Sequence, residues 1–176
     1  DEDAINKSKR ALSKSSSKPA ASSLAPSPAV GVSYMGYSQT DNAAVGVGGV
    51  SPPDVNGDVG IDYYVQYVNL GWIVLNKSDG SVAAGPFIGN TFWQGFGGVC
   101  ETNNAGDPIV LYDHLADRWV FSQFTSPSNP DGHQCFAVSQ SGDLIDDINN
   151  GNFALYDFIV SPGQFNDYEK ISVWPD

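Results

Sequence analysis

Two stretches of the chain repeat one pattern. "VLNKSDGSV" (residues 74–82) and "AVSQSGDLI" (residues 137–145) each run from an apolar strand through a polar, glycine-bearing turn into a second strand start. They stand about 62 residues apart, the spacing of four-stranded sheet units. A third start, "YEKISVWPD", follows "DPIVLYD" by a similar interval. A meander of short strands buries a face only when another sheet packs on it, so the pattern restricts the chain to stacked or radially arranged sheets. The reading is all-β: a partial β-propeller-like array of antiparallel four-stranded sheets, about 50–65 residues per unit, with a β-sandwich as the structural alternative.

The strands can be placed individually. "YYVQYVNLGWIVLNKSDGSVAAG" carries Tyr64, Gln66 and Val68 on one parity and Val65 and Tyr67 on the other, which suits a strand from Tyr63 to Asn69 covered on both faces. "WIVLNK" follows as its neighbour, Asp79 and Gly80 turn the chain, and a third strand runs over residues 82–87. "DPIVLYD" and "RWVFSQFTS" then flank a turn at "HLAD", and "QCFAVSQSGDLID" gives a strand, a turn at Ser141 and Gly142, and a further strand start. Helical periodicity is almost absent, and its best candidate, "DLIDDINNGNFALYDF", is interrupted by Asn149, Asn150 and Gly151.

Residues 1–33, rich in Ser, Ala, Pro and Lys, read as a disordered low-complexity leader, and residues 34–176 as the propeller-like domain, truncated at its C-terminal end. The initial Asp in place of Met marks a mature form or a fragment. Five of the 8 basic residues lie in that leader, while only Asp1, Glu2 and Asp3 of the 20 acids precede residue 34. The folded part is therefore strongly acidic. Such a surface repels nucleic acid and anionic membrane and favours cations as partners. No apolar run approaches the length needed for membrane insertion.

Cys100 and Cys135 belong to no CxxC or Cys/His cluster of the kind that holds zinc. In an oxidising compartment they can pair, closing a loop that contributes about 3–4 kcal/mol; two buried free thiols are the alternative. In "DVNGDVGID", Asp54, Asn56, Asp58 and Asp62 match alternate ligand positions of a calcium loop. The sixth position is Val59 rather than Gly and the twelfth Val65 rather than Glu, which excludes an EF-hand. A looser Ca2+ loop and an Asx-rich turn remain the two readings.

Glu101, Asn103, Asn104 and Asp107 can supply remote ligands to that loop, or Glu101, Asn103 and Asn104 can line a pocket with Trp93 and Phe96 from "TFWQGFGG", a ligand-binding set of the kind found in sugar sites, where ring CH groups stack on aromatics; the alternative is a glycine-rich connection capping the core. His114 and His133 are the only histidines, and with Tyr112 they are the catalytic candidates, as base and acid. Otherwise His114 and His133 are loop residues and Asp113 and Asp117 cap a turn. No nucleophile elbow, P-loop or dinucleotide fingerprint is present, and the terminal "WPD" has no phosphate-binding cysteine loop to accompany it.

"SPPDVNGDVGIDYYVQYVN", "GGVCETNNAGDPIVLYDHLADRWVFSQF" and "CFAVSQSGDLID", taken in order, resemble the N-terminal blades of large secreted bacterial proteins with sialidase-like or BNR-like β-propellers. The resemblance covers residues 50–176 and implies an extracellular location, a propeller fold and little about activity. The chain departs from sialidases themselves: "SDGSVAAG" lacks the spacing and Trp of an Asp-box, and Arg118, the only Arg after Arg10, cannot supply an arginine triad. The expected function is a secreted, Ca2+-stabilised binding scaffold that engages glycans or a cell-surface component, joined to the remaining C-terminal part of the same protein. The alternative is part of a polysaccharide lyase or glycosidase completed beyond residue 176.

Overall fold

Eight strands build two antiparallel meanders in the computed structural model, which describes residues 29–174. The expected leader falls almost wholly outside the described residues, and the compact unit begins at Val32. The first sheet has the order β1 (Val55–Val59), β2 (Tyr63–Val68), β3 (Gly71–Asn76), β4 (Val82–Ile88). The second has the order β5 (Ile109–Asp113), β6 (Arg118–Phe124), β7 (Gly132–Ser139), β8 (Phe153–Ser161). The all-β expectation holds. Each sheet follows chain order, so every strand pairs with its sequence neighbour.

Local chemistry explains the turns. Val68 pairs with Gly71, leaving Asn69 and Leu70 as a two-residue hairpin loop, and Asn69 takes the left-handed φ of 47° that asparagine tolerates well. In the β5–β6 turn Asp113 Oδ1 accepts from the backbone N–H groups of Leu115 (2.9 Å) and Ala116 (3.0 Å), an Asx turn that holds its carboxyl below the usual range.

Two expectations change. The "DVNGD" stretch is a strand rather than a loop: β1 pairs with β2 from Val55 opposite Val68 to Val59 opposite Tyr64. Gly57 permits this, since a Cβ there would lie 2.8 Å from the Val65 carbonyl oxygen. The segment after Ser141 and Gly142 is a helix rather than a strand. A short α1 (Gly98–Thr102) precedes β5, and α2 (Leu144–Asn150) joins β7 to β8. Asp143 accepts from Asp146 N (3.1 Å) at the start of α2, and Gly151, at φ 67°, ends it. The Asn-Asn-Gly that interrupts the helical pattern is the C-terminal stop of a real helix.

Alternation along the strands selects the core. Val65, Tyr67, Trp72 and Val74 of the first sheet pack in one cluster with Val110, Tyr112, Trp119, Phe121 and Ala137 of the second. Trp72, Trp93 and Trp119 are at most 1% exposed. The other face of β2 and β3 is covered by the segment before β1, as the two-faced pattern of β2 requires: Tyr37 joins Val68, Ile73 and Leu75. The Gln66 side-chain amide pairs with the Tyr37 backbone in both directions, at 2.8 and 3.0 Å, and Asn42 Nδ2 donates to the Val68 carbonyl (3.1 Å).

Cys100 of α1 and Cys135 of β7 form a disulfide across 35 residues, and both are fully buried. The bridge ties a connection with little regular structure to a central strand. Among the described residues no helix is long and apolar enough to cross a membrane. Replacing both cysteines by Ser is expected to destabilise the fold by about 2–5 kcal/mol, read as a lower midpoint of urea unfolding under non-reducing conditions.

Candidate functional site

Where β1 runs alongside β5, polar side chains replace a strand ladder. β5 is an edge strand, and two of its backbone N–H groups need partners. Asn56 Oδ1 accepts from Val110 N (2.7 Å) and Asp58 Oδ2 accepts from Tyr112 N (2.8 Å). Two of the four residues of the calcium-loop pattern are thus occupied in joining the sheets. Asp62 is exposed, in the β1–β2 connection.

Asp54 is placed differently. Its Oδ2 accepts from Asn69 Nδ2 (2.7 Å), and the other end of the same amide, Oδ1, lies against Gly106, next to Asp107, which stands just before β5 as Asp54 stands just before β1. Both aspartates hold left-handed φ angles, 38° and 40°, and Tyr168, the first residue of the third repeat start, does the same at 56°. Burial, then the hydrogen bond and charge of Asp54, then Asp167 and Glu169, push the Asp107 carboxyl up to about 7. The sequence offers Asp107 as one of four remote ligands but does not single it out as the neighbour of Asp54, because the two meet only when the sheets pack; its signal was the matching position, one Asp ahead of each first strand.

The residues expected to line a sugar pocket do not gather around one cavity. Trp93 is fully buried, and its indole N–H donates to the Phe136 carbonyl (3.2 Å). Glu101 accepts from Gly95 N (3.0 Å) and Gly97 N (2.7 Å), shaping the glycine-rich connection. Asn103 Oδ1 accepts from Ser126 N (3.1 Å), and Asn104 Nδ2 donates to the Leu70 carbonyl (2.9 Å). Phe96 is exposed.

The catalytic candidates do not converge. Tyr112 and His114 lie beside the Arg118 end of β6, whereas His133 neighbours Gln134, which pairs with Phe124 at the opposite end. His133 Nδ1 bonds Asp157 Oδ1 at 2.6 Å in a partly buried pair. The exposed His114 ring meets Tyr112 edge-on. Tyr112 donates to Asp117, and burial foremost, then that bond, raises its hydroxyl to about 12, the wrong direction for an acid working near neutrality. The one group of three close potential metal ligands among the described residues, Cys100, Cys135 and Asp157, has both sulfurs in the disulfide.

A groove of about 230 Å³ opens beside the core, lined by Trp72, Phe87, Phe92 and Phe153, with Thr91 and Gln94 supplying polar groups. Phe92 stacks on Trp72 with centroids 4.4 Å apart and packs edge-on against Phe153 at 5.0 Å. Its neighbour Trp93 is the more conspicuous aromatic in sequence, yet Phe92 is the one that reaches the groove. Comparison of the chain with protein-family models, curated proteins and solved structures gives no match.

Two outcomes test these assignments. Asp58→Ala strands the Tyr112 N–H and is expected to destabilise the protein by about 1.5–3 kcal/mol, whereas Asp58→Asn, which keeps an acceptor, costs less; urea unfolding separates the two. For Asp107 the folded value lies above the unfolded one, so the stability it contributes is full below the ordinary aspartate value of 3.8 and is lost as pH rises through about 7. In EDTA, thermal midpoints measured across that window should fall with rising pH, and Asp107→Asn should flatten the decline.

Proposed function

We propose that this chain is an extracellular binding module of β-propeller type that holds glycans in the groove floored by Phe92. The observation that carries this reading is the groove itself: aromatic faces for the CH surface of a sugar ring, with Thr91 and Gln94 beside them for hydroxyls. Two consecutive four-stranded meanders in chain order support propeller blades rather than a Greek-key sandwich, in line with the resemblance to sialidase-like propellers. The buried disulfide supports an oxidising, extracellular setting. Tyr156 and Phe158, exposed on β8 and stacked on one another, offer a face that a following blade of the same protein would cover.

Titration with a panel of neutral and acidic oligosaccharides, followed by tryptophan fluorescence, tests the proposal. Binding by at least one glycan is expected. Phe92→Leu, which keeps apolar volume and removes the ring, and Gln94→Ala, at an exposed position, should each weaken it about tenfold, worth about 1.4 kcal/mol. Binding unaffected by both substitutions, or absent across the panel, would overturn the groove assignment.

A further inference from the structure

Asp54 and the Gly106–Asp107 segment meet at one buried amide, that of Asn69, in a strongly acidic domain. Lys77 Nζ donates to the backbone carbonyls of Gly60 and Ile61, and Lys170 lies over the Tyr168 ring, 3.1 Å from its centroid; neither makes an ion pair with Asp54 or Asp107. Asp167 and Glu169 add further negative potential at Asp107.

An independent observation lies on Asn69. The residue is 5% exposed, and its Nδ2 donates both to Asp54 Oδ2 (2.7 Å) and to the Pro52 carbonyl (3.0 Å), which fixes the amide against Asp54. Its Oδ1 is buried without a partner. That oxygen faces Gly106, immediately before Asp107, and fills the space a Cβ would take there: the two would be 2.4 Å apart. Asn104 and Asn166 also carry unpartnered Oδ1 atoms against glycines, but their Nδ2 groups donate to backbone carbonyls and a glutamine rather than to a carboxylate. A buried amide oxygen without a donor is costly, and a hard cation offers it a partner.

We propose that Asp54 and Asp107, with the Asn69 amide oxygen, bind a divalent cation of the calcium class at the junction of the two sheets. The donors are all oxygen, from two carboxylates and an amide, with no His or Cys, which suits a hard cation over zinc. This set replaces the one suggested by alternate spacing in "DVNGDVGID", of which it keeps Asp54 alone. The cation joins the segments entering β1 and β5, as Asn56 and Asp58 join the strands themselves. The site is independent of the glycan groove and stands or falls separately.

The test is thermal unfolding of the oxidised protein with excess calcium chloride and then with EDTA, alongside calorimetric titration of calcium into the EDTA-stripped protein. One site per chain and a calcium-dependent rise of several degrees in the midpoint are expected. Asp107→Asn and Asp54→Asn, both tolerated at left-handed φ, should abolish the rise and weaken binding at least tenfold. Asp62→Asn should leave both readouts unchanged. Absence of any calcium response in the wild type would overturn the proposal. So would a response that survives Asp107→Asn but is lost in Asp62→Asn, which would return the ion to the β1–β2 loop.

Discussion

The packing of Trp72 against Phe121, with ring centroids 5.4 Å apart, is the contact on which the rest of the molecule depends. Each partner comes from the middle of a different meander, and neither sheet could bury such a ring alone. Phe92 completes the cluster, 4.4 Å from Trp72 and 4.3 Å from Phe121. Aromatic pairs of this kind contribute about 0.5–1.5 kcal/mol each beyond the area they remove from water. Once the sheets are fixed face to face, β1 and β5 are brought side by side, and so are the acids that precede them.

The acidic and amide side chains that look like ligands in the sequence are for the most part joinery. Asn56 and Asp58 satisfy the open edge of β5, Gln66 acts as a strand partner for Tyr37, and Glu101 organises a glycine-rich loop. The physical reason is common to all four. Short strands leave many backbone donors outside a ladder, and a buried donor without an acceptor is expensive, so carboxylates and carboxamides are recruited to meet them. What stands out is the pair that does not fit this pattern, Asp54 and Asp107, where burial and the charge of Asp54 disfavour the ionised form of Asp107.

The groove has a similar origin. The connection over residues 89–106 is stapled down by the disulfide and by Asn104, and it lays Phe92 across the gap between the sheets without closing it. The connection is held at its disulfide and at Asn104, with Phe92 half-buried between the sheets.

Period-two alternation and glycine-bearing turns were enough to read β2 to β7, because side-chain direction along a strand is a local property. The two-faced burial of β2 was legible in the same way. The nature of "DVNGD" was not: as a sequence it fits a calcium loop or a turn, and only the partner strands beside it make it a strand whose polar side chains reach across to β5. Nor could the sequence choose Phe92 over Trp93 for the groove, or place Asp107 beside Asp54, 53 positions earlier. The sequence by itself determined the strand units, the acidic character and the candidate cysteine pair, all of which follow from local pattern and composition. The tertiary structure decided which oxygens meet and which aromatic faces the opening, because those depend on how two sheets pack, and packing is set by the whole core.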